Sequence, residues 1–366
     1  MSTIRKTKKS SVEPANKKSN MPHYCSMVEK PPRVFSPKVG THRAAMIMVS
    51  DRKWINGTKL KYYFFKGSID GSPASWKGSP AQLNTVKQAF QTWKSLGIGL
   101  EFEETTDRNE AQVRIGFMAS DGAWSYVGRD VIDEAPSPNE RTMNLGWDDL
   151  DTALHEIGHT LGYPHEHQNP NAGIVWNEEA VYTALAQPPN SWSRDKTFYN
   201  IIRKLPVSEV EGSTHDPNSV MHYPFGAGLI LSPPQFKNGI NPAGGLSAKD
   251  MEFAKKFYPP LTPANTISLV VSQSHPVDIK AGEQKNYVFK PNRSKKYTIE
   301  TFGEMDMVMV LFEKTPTEEI YLSGDDDSGT DYNAKIEMRL IKGREYIIRV
   351  RLFYSGDEGV GSIMVH

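Results

Sequence analysis

Three of the ten histidines in this 366-residue chain stand at positions 155, 159 and 165, and their spacing constrains the fold more than any other feature. The segment reads His155-Glu156-Ile157-Gly158-His159-Thr160-Leu161-Gly162-Tyr163-Pro164-His165. On an α-helix, residues four apart are separated by about 6 Å along the axis and project from one face. A helix here lets His155 and His159 share a metal ion. Gly162 tolerates backbone angles closed to other residues, so the chain can turn and bring His165 back as a third nitrogen donor. Three imidazoles leave one position for water, the pattern of a catalytic zinc site with one Zn2+ per chain. Glu156 sits beside the ligands but points aside, as suits a general base. Three other readings compete: histidines that only decorate a helix surface, His167 as third ligand in place of His165, and a zinc that is structural only.

Around this centre the pattern predicts a mixed domain. Residues 44–49 and 59–65 read as strands. Leu83, Val86, Phe90 and Trp93 mark one apolar helix face ending at Gly97. The runs at 98–104 and 113–117 alternate as strands do. Helices are expected at 149–161, after Asn177, at 198–205 and at 247–258, the last opened by Ser247 and Asp250 as a capping pair. Pro259, Pro260 and Pro263 then break the chain.

Downstream of the histidines lies Ser219-Val220-Met221-His222-Tyr223. A zinc motif of this length followed by a methionine in a tight turn resembles the metzincin metallopeptidases. The tyrosine two residues after Met221 makes the segment similar to the astacin family. Trp124-Ser125-Tyr126-Val127-Gly128-Arg129 and His165-Glu166 agree with that. The resemblance implies an α+β, two-lobed zinc endopeptidase domain over residues 44–261, with its cleft between the lobes and a peptide or protein as substrate. It implies that His155, His159 and His165 bind zinc. It makes Glu156 the residue that polarises the zinc-bound water and carries its proton to the leaving amine. It puts Met221 as an apolar floor under the metal; an ordinary core methionine is the better reading of that residue by itself, and its position relative to Tyr223 favours the floor. Tyr223 becomes a movable ligand that can swing to the oxyanion. The strand holding Val113, Arg114 and Ile115 matches the family's cleft-edge strand, which pairs with extended peptides, or is an ordinary edge strand.

Cys25 is the only cysteine, so an internal disulfide framework is excluded, and Ala123 stands where relatives often carry cysteine. A thiolate is a strong zinc ligand and can fill the open position, so Cys25 is either a latch resembling the cysteine switch of matrix metallopeptidases or a free thiol without a role. Glu166 holds the place where the family pairs a buried, freed N-terminus. Residues 1–20 carry six basic residues against Glu13 and read as a disordered basic tail, and 21–43 read as an extended pro-like segment.

From 265 to 366 short β-prone runs recur with turn residues between them, predicting an antiparallel β-sandwich. Asp306–Phe312, Asp325–Gly329 and Gly343–Val350 resemble the pre-peptidase C-terminal domain of bacterial peptidases. Asp325, Asp326, Asp327 and Asp331 offer oxygen donors of the kind Ca2+ takes, or form a solvated turn. Lys plus Arg equals Asp plus Glu at 43 each, which argues against a nucleic-acid partner. No apolar run reaches the roughly 18–20 residues a membrane span needs. No apolar signal run follows the basic start, so export by a non-Sec route is expected, with the cytoplasm as alternative. Oligomeric state is open. The reading from a different class is a non-catalytic zinc protein whose sandwich binds a protein or matrix partner. Glu156 and Tyr223 count against it, because such a protein needs neither.

Overall fold

The computed structural model describes residues 22–27, 53–54, 57–133, 135, 137–205, 214–260, 266–280, 282–353 and 358–366. The basic tail at 1–20, most of 21–43 and the strand expected at 44–49 lie outside them.

The first lobe is built on a five-stranded sheet of β1 (Lys59–Phe64), β2 (Glu101–Glu104), β3 (Val113–Gly116), β4 (Ala123–Ser125) and β5 (Met143–Leu145), in the order β2-β1-β3-β5-β4. The pairings are parallel except β4 with β5. Helix α1 (Pro80–Ser95) opens with a capping box between Ser79 and Gln82 and with proline at its first position, where no N–H is needed. It stops before Gly97, whose φ of +76° suits glycine. Val86, Ala89, Phe90 and Trp93 bury its apolar face, and the Trp93 indole donates to the Leu154 carbonyl at 3.1 Å. The short α2 (Asp130–Asp133) precedes α3 (Leu150–Thr160), capped by Asp149. Residues 153–160 of α3 are all buried, so this helix has core on one side and the cleft on the other.

After Gly162, with φ +96°, the chain enters the second lobe. There α4 (Glu178–Leu185), α5 (Arg194–Thr197) and a π-helical turn at Phe198–Ile202 surround a core that includes Trp176, Leu185, Trp192, Ile201 and Phe225. Strands β6 (Val175–Trp176) and β7 (Ile230–Ser232) pair antiparallel. Helix α6 (Ala248–Phe257), capped by Ser247 and Asp250, returns to the first lobe, where the Tyr258 hydroxyl donates to the Leu161 carbonyl at 2.7 Å.

Val113, Arg114 and Ile115, expected at the cleft edge, lie inside the sheet instead. β3 runs between β1 and β5, and all three residues are buried. The Arg114 guanidinium is consumed by the carbonyls of Ala111, Ala135 and Glu140. The cleft edge is β4.

The C-terminal part is the expected β-sandwich. Its strands are β8 (Ile267–Ser268), β9 (His275–Ile279), β10 (Gln284–Phe289), β11 (Lys295–Phe302), β12 (Met307–Lys314), β13 (Glu319–Asp325), β14 (Lys335–Leu340), β15 (Glu345–Leu352) and β16 (Gly359–Val365). One sheet has the order β13-β12-β15-β10-β8 and the other β14-β11-β16-β9. The strand pairings are antiparallel except the two-residue contact of β8 with β10. Both faces of β12 are buried at Met307–Phe312, which explains its unbroken apolar run. Among the described residues, no helix is long and apolar enough to cross a membrane.

Candidate active site

Helix α3 presents His155, Glu156 and His159 at the floor of the cleft, and all three are buried. Each helical histidine is pinned by its inner nitrogen. His155 Nδ1–H donates to the Val220 carbonyl and His159 Nδ1–H to the Tyr163 carbonyl, both at 2.7 Å. A carbonyl can only accept, so each ring keeps its proton on Nδ1 and offers Nε2 toward the cleft. The turn at Gly162 returns the chain so that His165 Nε2 lies 3.1 Å from His159 Nε2. Next along, the Glu166 amide donates to the Met221 carbonyl at 3.0 Å, tying this return to the methionine turn. That turn is closed by Ser219, which accepts from the Met221 amide, and by Asp250, which accepts from the Val220 amide and the Ser219 hydroxyl.

The fourth corner is Cys25. Donor atoms of Cys25, His155, His159 and His165 all lie within 4.8 Å of one another, and all four residues are buried. The thiol also lies 3.5 Å from Glu156 Oε2. His155 Nε2 and Glu156 Oε1 are buried without a hydrogen-bond partner. Buried polar atoms are ordinarily paired, so this pair of orphans, facing a ring of nitrogen and sulfur donors, fits a bound cation. The donor set is that of zinc. Burial keeps the imidazoles neutral, drawing His155 down to about 4 against the opposing bond to Val220, and His165 well below its usual range. Burial pushes the Glu156 carboxyl up to about 8, partly offset by the Cys25 thiol. The Cys25 thiol is itself pushed up by burial and by Glu156. A dication inverts this balance by favouring every deprotonated donor.

Tyr223 is buried beside the cluster, its hydroxyl 2.5 Å from His165 Nε2, and it donates to the Cys25 carbonyl at 2.7 Å. Met221 packs under α3 at Gly158. His167 falls outside the cluster because its Nε2–H donates to the Asn200 carbonyl at 2.9 Å, so it does not replace His165. The four carboxylates expected to offer a calcium site do not form a donor group among the described residues. Asp325 is used inside its turn by Ser328 and the Lys335 amide.

Sequence reasoning missed four contributors. Gly158 had a local signal, a glycine inside a helix. Asn190 and Asn200, which bond to the backbone at 22–27, had none. The same holds for the β4 carbonyl of Ala123, which accepts from the Ser26 amide at 3.2 Å.

A mixed sheet over a buried helix, a glycine turn and a methionine turn, with three imidazoles converging under a cleft, defines the two-lobed metzincin class. Residues 50–228 match the sequence model of the Astacin peptidase family, so this part of the chain is similar to an astacin-type metallopeptidase domain. Tolloid-like protein 2 of Homo sapiens is 29% identical over 238 residues, covering 62% of this chain and 20% of its own length. Zinc metalloproteinase nas-36 of Haemonchus contortus is 27% identical over 216 residues, covering 57% of this chain and 31% of its own. The chain thus spans about a fifth to a third of the length of these curated relatives. The solved structure of myroilysin is similar with a TM-score of 0.50 at 29% identity, covering 58% of this chain and 98% of that one.

Proposed function

We propose that this chain is a zinc-dependent endopeptidase acting on peptide or protein substrates, and that Cys25 holds it latent. The observation that carries the proposal is the convergence of the His155, His159 and His165 nitrogens with the Glu156 carboxylate and the Cys25 sulfur at one buried point. Bound by the three Nε2 atoms, zinc supplies Lewis acidity toward a peptide carbonyl and a water molecule. Glu156 takes a proton from the attacking water as oxygen bonds to the carbonyl carbon. It then delivers that proton to the amine nitrogen as the C–N bond breaks. Tyr223 donates to the carbonyl oxygen as negative charge grows on it. In the intact chain this phenol is occupied by the Cys25 carbonyl, so the segment at 22–27 fills the place of a substrate peptide.

The test compares casein degradation by the intact chain, its Glu156→Ala and Cys25→Ala variants, and the chelated chain before and after zinc is restored. The proposal expects Cys25→Ala to raise activity, and expects that activity to need both Glu156 and zinc. Removing Glu156 should cost about 10²–10⁴-fold. Equal activity of the intact and Cys25→Ala chains would sink the latch. Degradation that survives both Glu156→Ala and chelation would sink the mechanism.

A further inference from the structure

Tyr24, the residue before the thiol, is buried, with 4% of its surface exposed. Its ring lies among those of Tyr223, Phe225 and Trp192, at centroid distances of 5.1, 5.8 and 6.3 Å. Its hydroxyl donates to the Pro224 carbonyl at 2.9 Å at the pocket's end. The Asn190 side chain grips the backbone on both sides, accepting from the Tyr24 amide and donating to the Pro22 carbonyl, each at 3.0 Å. That pair of bonds imitates the next strand of a sheet.

We infer that this pocket is a subsite for a tyrosine side chain of the peptide substrate, with Asn190 reading the backbone beside it. Of the contacts at Tyr24, only those to ring and hydroxyl select a side chain. The Asn190 bonds need only the peptide groups that any chain carries. Two features favour tyrosine over other residues. Flat aromatic walls reward a ring in offset contact. The Pro224 carbonyl is placed to accept a hydroxyl, and a site built to bond a hydroxyl discriminates against the analogue lacking it. Tyr223 forms one wall of the pocket, and the next residue along the segment, Cys25, meets Glu156. A side chain seated in the pocket therefore belongs to a residue close to the reacting bond. The consequence for cleavage rests on the endopeptidase reading.

The full-length chain carrying Tyr24→Ala, Cys25→Ala and Glu156→Gln vacates the pocket and stops turnover. Binding of the fluorescent peptide Pro-His-Tyr-Ala-Ser-Met is measured by anisotropy, with phenylalanine and leucine in place of its tyrosine. Tyrosine should bind at least about tenfold more tightly than leucine, with phenylalanine between them. Asn190→Ala should weaken all three peptides about equally, on the order of tenfold for two lost hydrogen bonds. In a second arm, the same chain with Glu156 retained cuts a peptide library, and its sites should share an aromatic residue at one fixed position. Leucine binding as tightly as tyrosine, or cleavage without aromatic enrichment, overturns the subsite. Tyrosine-selective binding without any cleavage supports the pocket and counts against the endopeptidase.

Discussion

Gly158 lies between the two helical histidines, and a Cβ built on it would fall 2.3 Å from the Met221 sulfur. Glycine is weak in a helix interior, yet here its missing side chain is what lets the methionine pass beneath the histidine donors. Gly158→Ala must therefore push Met221 aside, at a cost of about 1–3 kcal/mol, read as a lower urea midpoint. A second residue-scale prediction concerns Asp70, just beyond β1. Burial raises its carboxyl, but hydrogen bonds from the hydroxyls of Ser72 and Tyr63 and the amides of Lys66 and Ser72 outweigh that and hold it well below the usual carboxylate range. A depressed carboxylate contributes stability above its unfolded pKa and loses it as pH falls toward the folded value. Asp70→Asn should therefore be less stable than the parent at pH 7, and the gap should close below about pH 4. Urea midpoints from neutral to strongly acidic pH check this, and a gap independent of pH would contradict it.

At the scale of elements, α3 depends on its first turn. The Asp149 carboxylate accepts from both the Thr152 amide and its hydroxyl, at 2.8 and 2.7 Å. Asp149→Ala should cost about 1 kcal/mol, seen as a lower thermal midpoint with Asp149→Asn close to the parent. The sheet shows why edges are hard to read. β3 has an alternating, apolar sequence that suits an interior or an edge strand equally, and only the pairing of β5 beyond it decides. β4, the true edge, is three residues long. In the sandwich, β13 is illegible in the sequence because it is an edge with no fully buried residue, and β9 because Pro276 interrupts its pattern.

At the scale of the whole molecule, the histidine and cysteine donor cluster joins α3 of the first lobe, the return at His165, the methionine turn beside it and the N-terminal segment. A cation bound only by the folded arrangement stabilises all of them together. Chelation should lower the unfolding temperature of the intact chain, and restoring zinc should recover it. With Cys25→Ala the zinc-dependent shift should be smaller, because one donor is gone. An unfolding temperature indifferent to chelator would show that no metal is held.

The sequence alone determined the helix, its two histidines and the glutamate, because helix geometry converts a spacing of four into a shared face within a single turn. It supplied a turn at Gly162 but left His165 and His167 open as the third donor, and the structure separates them by tying His167 to the Asn200 carbonyl. The recurrence of short β-prone runs between turn residues likewise made the sandwich legible. Only the tertiary structure decided that Cys25 meets Glu156 from 131 residues away, that Asn190 grips Tyr24 and that β4 is the exposed edge. Such contacts depend on how loops close and which surfaces pack, and no local period encodes them.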